Sequence, residues 1–505
     1  MEPGHDIPWA CHPQVPEVTD SGTIQYRSLA AYQHAANRPF AAPPFHSCSP
    51  SRASPPGICL QPISPPMPFT VTRLSASVVG RRNTSGSRFL REARALAVVL
   101  ALPLIACAGA SAGAERQASS AAGESAGVIP GVEVLLRDSL HLLEGKRVGL
   151  ITNHSGRDLT GTSSIDLLKS APGVELVALF SPEHGIRGAA DAGEKVASGL
   201  DDRTGLPIHS LYGETRVPTD SMLAGLDFLV YDIQDAGARV YTYVWTMALA
   251  AEKAGSLGIP FMVLDRPNPI RADIVQGGVL EQRWASFVGQ YPVALRYGLT
   301  PGELLRYLVG TGQVKVDLTV IPMDGYSRDM WFDDTGIEWV NPSPNLRSVD
   351  ATLLYTGTVF FEATNLSEGR GTDLPFQLVG AKWLDAAAVA EDLNDLALPG
   401  VRFSSTERTV DAGQKWGGET IPMVQVEVTD RNSVRPADVG IHMLRAIRSR
   451  HISNFEWRAE WLERLTGTTR ARAAVESADG VSALLDSWRA ESAEFERLRA
   501  PYLIY

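Results

Sequence analysis

An α/β fold built on a parallel sheet is what this chain predicts, and three observations carry the prediction. Apolar runs at residues 147–152, 175–180, 228–231 and 261–264 are each the length of a buried strand. Helix-length segments separate them. Parallel strands need such crossovers and, being covered on both faces, read as unbroken apolar runs. Each run also ends in a polar cluster: Asn153-His154-Ser155-Gly156, Pro182-Glu183-His184-Gly185, Asp232-Ile233-Gln234-Asp235 and Asp265-Arg266-Pro267-Asn268-Pro269. Open parallel sheets bind ligands beyond the carboxyl ends of their strands. Asn153, Glu183, Asp232 and Asp265 are therefore expected on one rim.

Residues 132–136 and 140–143 read as a short helix feeding the first strand, and residues 163–169 as an amphipathic helix feeding the second. The Gly-, Asp- and Thr-rich stretch 185–218 is long for a loop in a compact domain, and such loops are usually functional or disordered. A helical stretch at 222–226 precedes the third strand, and a helix at 243–254 precedes the fourth. The resulting β-α repeat predicts a Rossmann-like domain over residues 128–287. After it, Thr300-Pro301-Gly302-Glu303 is a capping box with Pro at the first helical position. Residues 314–322 and the alternating 420–429 read as strands, 386–393 and 481–498 as helices. These predict a smaller α+β domain over residues 288–505.

The 505 residues are 44% hydrophobic with a net charge of −11, enough for two globular domains. The acidic balance argues against nucleic acid as a partner. No cysteine lies beyond Cys107, so the folded part has neither a disulfide nor a thiolate metal site. Residues 1–94 hold no sustained apolar period until their end, and read as an extension or an over-early start followed by the basic flank of a signal peptide. The apolar core at 95–106 is too short to span a bilayer. Its end, Leu104-Ile105-Ala106-Cys107, resembles a bacterial lipobox; an ordinary signal peptide is the alternative. Export to the cell envelope, with a lipid anchor at Cys107, is the expectation. Residues 108–127 read as a flexible tether. Their Gly-x-Ser-x-Gly matches lack the strand and helix of a nucleophile elbow.

The first strand-to-helix turn lacks Gly-x-Gly-x-x-Gly, which excludes a dinucleotide at that turn. No His-x-x-x-His or His-Glu-x-x-His pattern indicates a zinc site, so no metal or cofactor is expected. Glu183 is the strongest candidate for a general acid, since a carboxyl just past a buried strand can lose solvation. Its competing reading is a cap for the next segment. Asp232 should face the same rim, and two carboxyl groups across a sugar can divide acid and base or nucleophile roles. Asp235 reads as an ion-pair partner for Arg239 at a helix start. Asp265, Arg266 and Asn268 sit on a stiff turn suited either to a hydroxyl-rich ligand or to local backbone bonds. Arg187, Arg239 and Arg266 are candidate carboxylate binders. Tyr212, Tyr241, Tyr243 and Trp245 are candidate sugar platforms; such residues are more often core, which is the expectation for Trp245.

Together these motifs, with Ser210-Leu211-Tyr212-Gly213, Tyr241-Thr242-Tyr243, Pro342-Ser343-Pro344-Asn345 and the run Thr364-Asn365-Leu366-Ser367-Glu368-Gly369-Arg370-Gly371-Thr372, resemble the NamZ-type exo-β-N-acetylmuramidases from about residue 131 to 505. The resemblance implies a Rossmann-like catalytic domain, a smaller C-terminal domain and release of N-acetylmuramic acid from the non-reducing end of peptidoglycan fragments, without a cofactor. It implies Glu183 as catalytic acid, with Asp232 chosen as the second carboxylate. Asn153, His184, Arg187, Arg239, Tyr241, Asp265, Arg266 and Asn268 would bind substrate, with Asn365, Glu368 and Arg370 reaching in from the second domain. The chain departs from the resemblance at Tyr297-Gly298, where a His before Gly is expected. A non-catalytic envelope lipoprotein that binds muropeptides is the competing class.

Overall fold

Apolar runs without alternation become the centre of a seven-stranded sheet, because alternate residues feed two cores on opposite faces. In β8 (Phe261–Leu264), Phe261 and Val263 join one buried cluster while Met262 and Leu264 join the other. β7 (Phe228–Asp232) divides likewise, with Tyr231 on one face and Val230 on the other. The computed structural model describes residues 127–505, apart from positions 189, 191 and 192, and two short strands, β1 (Glu17–Val18) and β2 (Ile24–Gln25), which pair antiparallel. The expected signal core, Cys107 and residues 108–126 of the tether lie outside the described residues.

The sheet also contains β3 (Arg147–Thr152), β4 (Glu175–Ser181), β5 (Gly199–Leu200), β6 (Pro207–Ser210) and β11 (Leu318–Ile321). Their order is β11-β8-β7-β3-β4-β6-β5, parallel except for the edge pair β5 and β6. This is the predicted α/β class. The boundary expected at 287/288 is corrected: β11 lies beyond it in sequence yet pairs with β8, register Leu318 to Phe261 through Ile321 to Leu264. The edge of the sheet needs a parallel partner, and helix α5 (Pro301–Gly310) supplies the crossover. The expected capping box is present, with Thr300 and Glu303 bonding each other's backbone.

Crossovers on the first half are α2 (Ser164–Ser170), capped by Ser163, then α3 (Asp220–Leu223) and α4 (Tyr243–Ser256). The segment before β3 is irregular. It runs from α1 (Gly131–Val134) through a π turn, Leu135–Ser139, into a 3₁₀ turn, Leu140–Leu143. Between α4 and α5, β9 (Gln276–Val279) and β10 (Ala294–Arg296) form an antiparallel pair.

The C-terminal part builds a second sheet from β12 (Leu378–Gly380), β13 (Val401–Thr409) and β14 (Thr420–Val428), antiparallel in the order β12-β14-β13. Helices α6 (Val349–Thr358), α7 (Ala386–Asp395), α8 (Pro436–Arg450), α9 (Ala459–Thr466), α10 (Arg470–Glu476) and α11 (Gly480–Arg499) complete it. α6 and α8 cross backbone to backbone. A Cβ on Gly357 would stand 1.8 Å from the Pro436 carbonyl oxygen, so only glycine permits the approach. The two parts share one core: Trp245 of α4, buried as expected, lies in the same apolar cluster as Leu353, Val424 and Trp488.

Candidate active site

Glu183 follows β4 directly and is nearly buried, with 9% of its surface exposed. The chain turns at once: His184 has φ 67° and Gly185 φ 76°. A left-handed histidine is uncommon and marks a backbone held by its surroundings. His184 is fixed by a 2.7 Å contact from Nδ1 to the Ala190 carbonyl. The loop then comes back to Glu183, and the Gly193 N–H donates to Oε1 at 2.9 Å. The other oxygen accepts from the Thr242 hydroxyl at 2.6 Å. Thr242 is the N-cap of α4, a position whose hydroxyl normally accepts from the helix. Here it makes no such cap and serves Glu183 instead.

Aromatic rings line the way from Glu183 to the C-terminal part. His184 meets Tyr243 edge-on at 6.4 Å, Tyr243 meets Tyr241 at 4.7 Å, Tyr241 meets Tyr355 at 6.2 Å, and Tyr355 meets Phe376 at 4.7 Å. The Arg370 guanidinium lies 4.7 Å over Phe376. Burial raises the pKa of all three tyrosines, with Glu183 and Asp235 adding to the push. The Tyr243 hydroxyl donates to the Pro342 carbonyl at 2.8 Å. Tyr241 keeps a buried hydroxyl without a partner among the described residues, as do the Nδ2 of Asn153 and the Nδ1 of His154. Asn153 Oδ1 is occupied by the Ser155 N–H and hydroxyl at 2.9 and 2.6 Å.

Beside this lies an open pocket of about 400 Å³, lined by His154, Gly188, Trp339, Val340, Asn341 and Pro344 among others. His154 Nε2 meets the Asn341 carbonyl at 2.8 Å, and burial lowers the His154 pKa. Trp339 is half-buried at its edge.

Several side chains expected to contact a ligand are engaged by other groups of the fold, most of them buried; Arg187 alone is exposed. Asp232 is fully buried; both carboxylate oxygens are taken by Arg266 and one also by Ser164. Arg266 sends its remaining reach to the Arg157 carbonyl at 2.8 Å. Asp265 accepts from Thr300, Gly302 and Tyr505 at 2.7, 2.8 and 2.9 Å, fastening the start of α5. Burial pushes its pKa up to about 7. Arg239 is buried and donates to three carbonyls, of Gly278, Val293 and Leu465. It therefore makes no pair with Asp235. Asn268 closes its own turn through Ile270 N–H and Leu299 O. Arg187 pairs with the buried Asp201. Asn365 bonds the backbone of Asn454 and Glu456.

Glu368 and Arg370 belong to one buried ion-pair network. Arg370 bridges Glu362 and Glu368, both at 2.7 Å, and Lys415 joins Glu368 at 3.0 Å. Burial alone would raise the Glu368 pKa, but the Lys415 and Arg370 charges outweigh it and hold it below the usual carboxylate range. Sequence reasoning missed Thr242, Tyr355 and Lys415. The Tyr241-Thr242-Tyr243 triplet at the head of a helix was the available signal.

A nearly buried carboxyl held by a hydroxyl and a backbone N–H, among tyrosines at the strand ends of a Rossmann-like sheet, has the arrangement that general acid catalysis requires. The N-terminal model of exo-β-N-acetylmuramidase NamZ matches residues 148–350, and the C-terminal model matches residues 353–505. Peptidoglycan β-N-acetylmuramidase NamZ of Bacillus subtilis is 43% identical over 376 residues, 74% of this chain and 91% of that protein. Two solved DUF1343 family proteins of Bacteroides fragilis share the fold. One is 36% identical with a TM-score of 0.70, the other 27% identical with 0.62; each match covers 75% of this chain and 99% of the other. The chain belongs to the NamZ exo-β-N-acetylmuramidase family.

Proposed function

We propose that this protein is an exo-acting glycoside hydrolase that releases N-acetylmuramic acid from the non-reducing end of peptidoglycan fragments. The observation that carries the reading is Glu183, nearly buried near Tyr241 and Tyr243 with one oxygen held by Thr242 and the other by Gly193. A carboxyl so placed delivers a proton to the glycosidic oxygen as the bond to the sugar breaks. The relative's activity on peptidoglycan supports the sugar class. The substrates are muramic-acid-terminated saccharides.

We also propose export to the cell envelope with acylation of Cys107, supported by the lipobox-like Leu104-Ile105-Ala106-Cys107. The mass of the mature N-terminal peptide tests it; a peptide beginning elsewhere than Cys107, or one without lipid, would overturn it. The activity is tested on a chromogenic β-N-acetylmuramide. Wild-type protein should release free N-acetylmuramic acid, and Glu183→Gln should lose about 10²–10⁴-fold in kcat while keeping its melting temperature. Cleavage by both proteins at the same rate would remove Glu183 from the role.

A further inference from the structure

With Asp232 committed to Arg266 and Ser164, and Glu362 and Glu368 committed to Arg370, the carboxyl that stands out near Glu183 is Asp235. It ends the strand-to-helix turn three residues past β7 and is 1% exposed. Its Oδ2 accepts from the Gly237 N–H at 2.7 Å and from the Tyr297 hydroxyl. Its Oδ1 is buried and has no partner among the described residues. A carboxylate oxygen only accepts, so a ligand must bring a donor to it. A buried donor without a partner among the described residues, the Tyr241 hydroxyl, stands within electrostatic reach of Asp235, as does Tyr243, beside the Asn153 side chain. One acceptor beside such a donor matches a secondary amide, which carries one N–H and one C=O. An acetamido sugar presents such a group next to the carbon that reacts.

We propose that Asp235 is the second reacting carboxyl, binding the N–H of the sugar's acetamido group while the acetamido oxygen attacks the anomeric carbon, and that Tyr297 positions it. This rests on the muramidase reading above. In the first step Glu183 gives its proton to the glycosidic oxygen as that bond to C1 breaks. The acetamido carbonyl oxygen bonds to C1 from the opposite face and the nitrogen's proton passes to Asp235, leaving a neutral oxazoline. In the second step a water gives one proton to Glu183 as its oxygen bonds to C1. The C1 bond to the acetamido oxygen breaks, and Asp235 returns the proton to nitrogen. One water is consumed and the β configuration is kept.

The protonation of Asp235 follows from what faces it. Burial raises its pKa to about 6, and the Tyr297 hydroxyl and the Gly237 N–H pull it back down. The other ionisable groups around it are Tyr231 of β7, Tyr241 and Tyr243 at the head of α4, Tyr355 of α6 and Glu183. Asp235 acts as a carboxylate, so it fails at pH below its pKa. Removing the Tyr297 hydroxyl removes a donor that favours the charged form, and the acidic limb moves to higher pH.

The test uses a chromogenic β-N-acetylmuramide and its mono-, di- and trifluoroacetamido analogues. Release of the sugar by wild-type protein is scored first; its absence would fail the muramidase reading and leave the role of Asp235 without a reaction to serve, overturning both. Given that activity, kcat should fall with each added fluorine, because fluorine weakens the carbonyl nucleophile, and the first product should be the β anomer. Asp235→Asn should lose about 10²–10⁴-fold in kcat with an unchanged melting temperature. Tyr297→Phe should shift the acidic limb of kcat/KM upward and lower kcat, since Asp235 loses the donor that positions it. A flat fluorine series, an α product, or an unmoved limb in Tyr297→Phe would overturn the proposal. The fluorine series and product anomer need only wild-type protein, so they decide even if Asp235→Asn does not fold.

Discussion

Three residues apart, Asp232 and Asp235 do different work, and the difference is decided by backbone, not by chemistry. Asp232 is still in the sheet, paired across to Thr152, and its side chain runs into the Ser164 and Arg266 pocket. Asp235 lies past the end of the strand, in a turn that Gly237 makes at φ 74° while its N–H bonds the Asp235 carboxylate at 2.7 Å. Removing Asp232 should therefore read as lost stability: Asp232→Ala leaves Arg266 buried and unpaired, at about 3–5 kcal/mol, measurable by urea denaturation. Thr242→Val should cost activity as well as stability, because it frees a carboxyl oxygen that the hydroxyl holds in place. A hydrogen bond to a charged group is worth about 1.5–3 kcal/mol, so kcat should fall about 10- to 150-fold. The residue types of the site were legible before the structure. Glu183, His184 and Asn153 were singled out because strand ends announce themselves. Which of two nearby aspartates is spent on Arg266 was not legible, since turn geometry has no hydrophobic signature. For the same reason Arg239 and Arg266 looked like ligand binders. A buried arginine stapling carbonyls and one gripping sugar share the same sequence.

At the scale of elements, strands covered on both faces were read well. So were α5, from its capping box, and α4 and α11, from their lengths. β12 and β13 escaped. β12 has three residues, and β13 is mostly exposed, so neither shows a strong apolar period. The start of α5 carries a pH dependence. Asp265 holds it, and burial lifts that carboxyl from the ordinary aspartate value of 3.8 to about 7. Between those values the folded chain binds a proton that the unfolded chain has released. Stability from this group is thus present at low pH and lost as pH rises through about 4 to 7. Asp265→Asn should flatten the fall in melting temperature over that range, relative to wild type. An identical slope in both proteins would contradict this.

At the scale of the molecule, the two matched regions are stitched together rather than strung in series. Arg239 of the first bonds Leu465 of the second. Arg499 near the chain's end bonds the carbonyls of Ala272, Asp273 and Gly298. The Tyr505 hydroxyl receives the Met323 N–H at 2.8 Å and donates to Asp265. With one shared core and such ties, calorimetry of residues 127–505 should show a single unfolding transition; two separated peaks would mean the regions melt independently. These long-range ties were illegible in the sequence, where a strand beyond residue 288 seemed to begin a new domain.

Trp339, half-buried at the edge of the open pocket beside His154, also gives the protein an optical handle. Indole emission depends on the polarity and contacts of the ring, and Trp339 already sits 4.9 Å from Phe332 with its N–H on Asn341 Oδ1 at 3.0 Å. A saccharide that fills the pocket displaces water from the indole and shifts its emission. Titrating Glu183→Gln with an uncleaved muramic-acid saccharide then reports occupancy directly by fluorescence, separating binding from turnover without a label. The signal should vanish when Trp339→Phe is added.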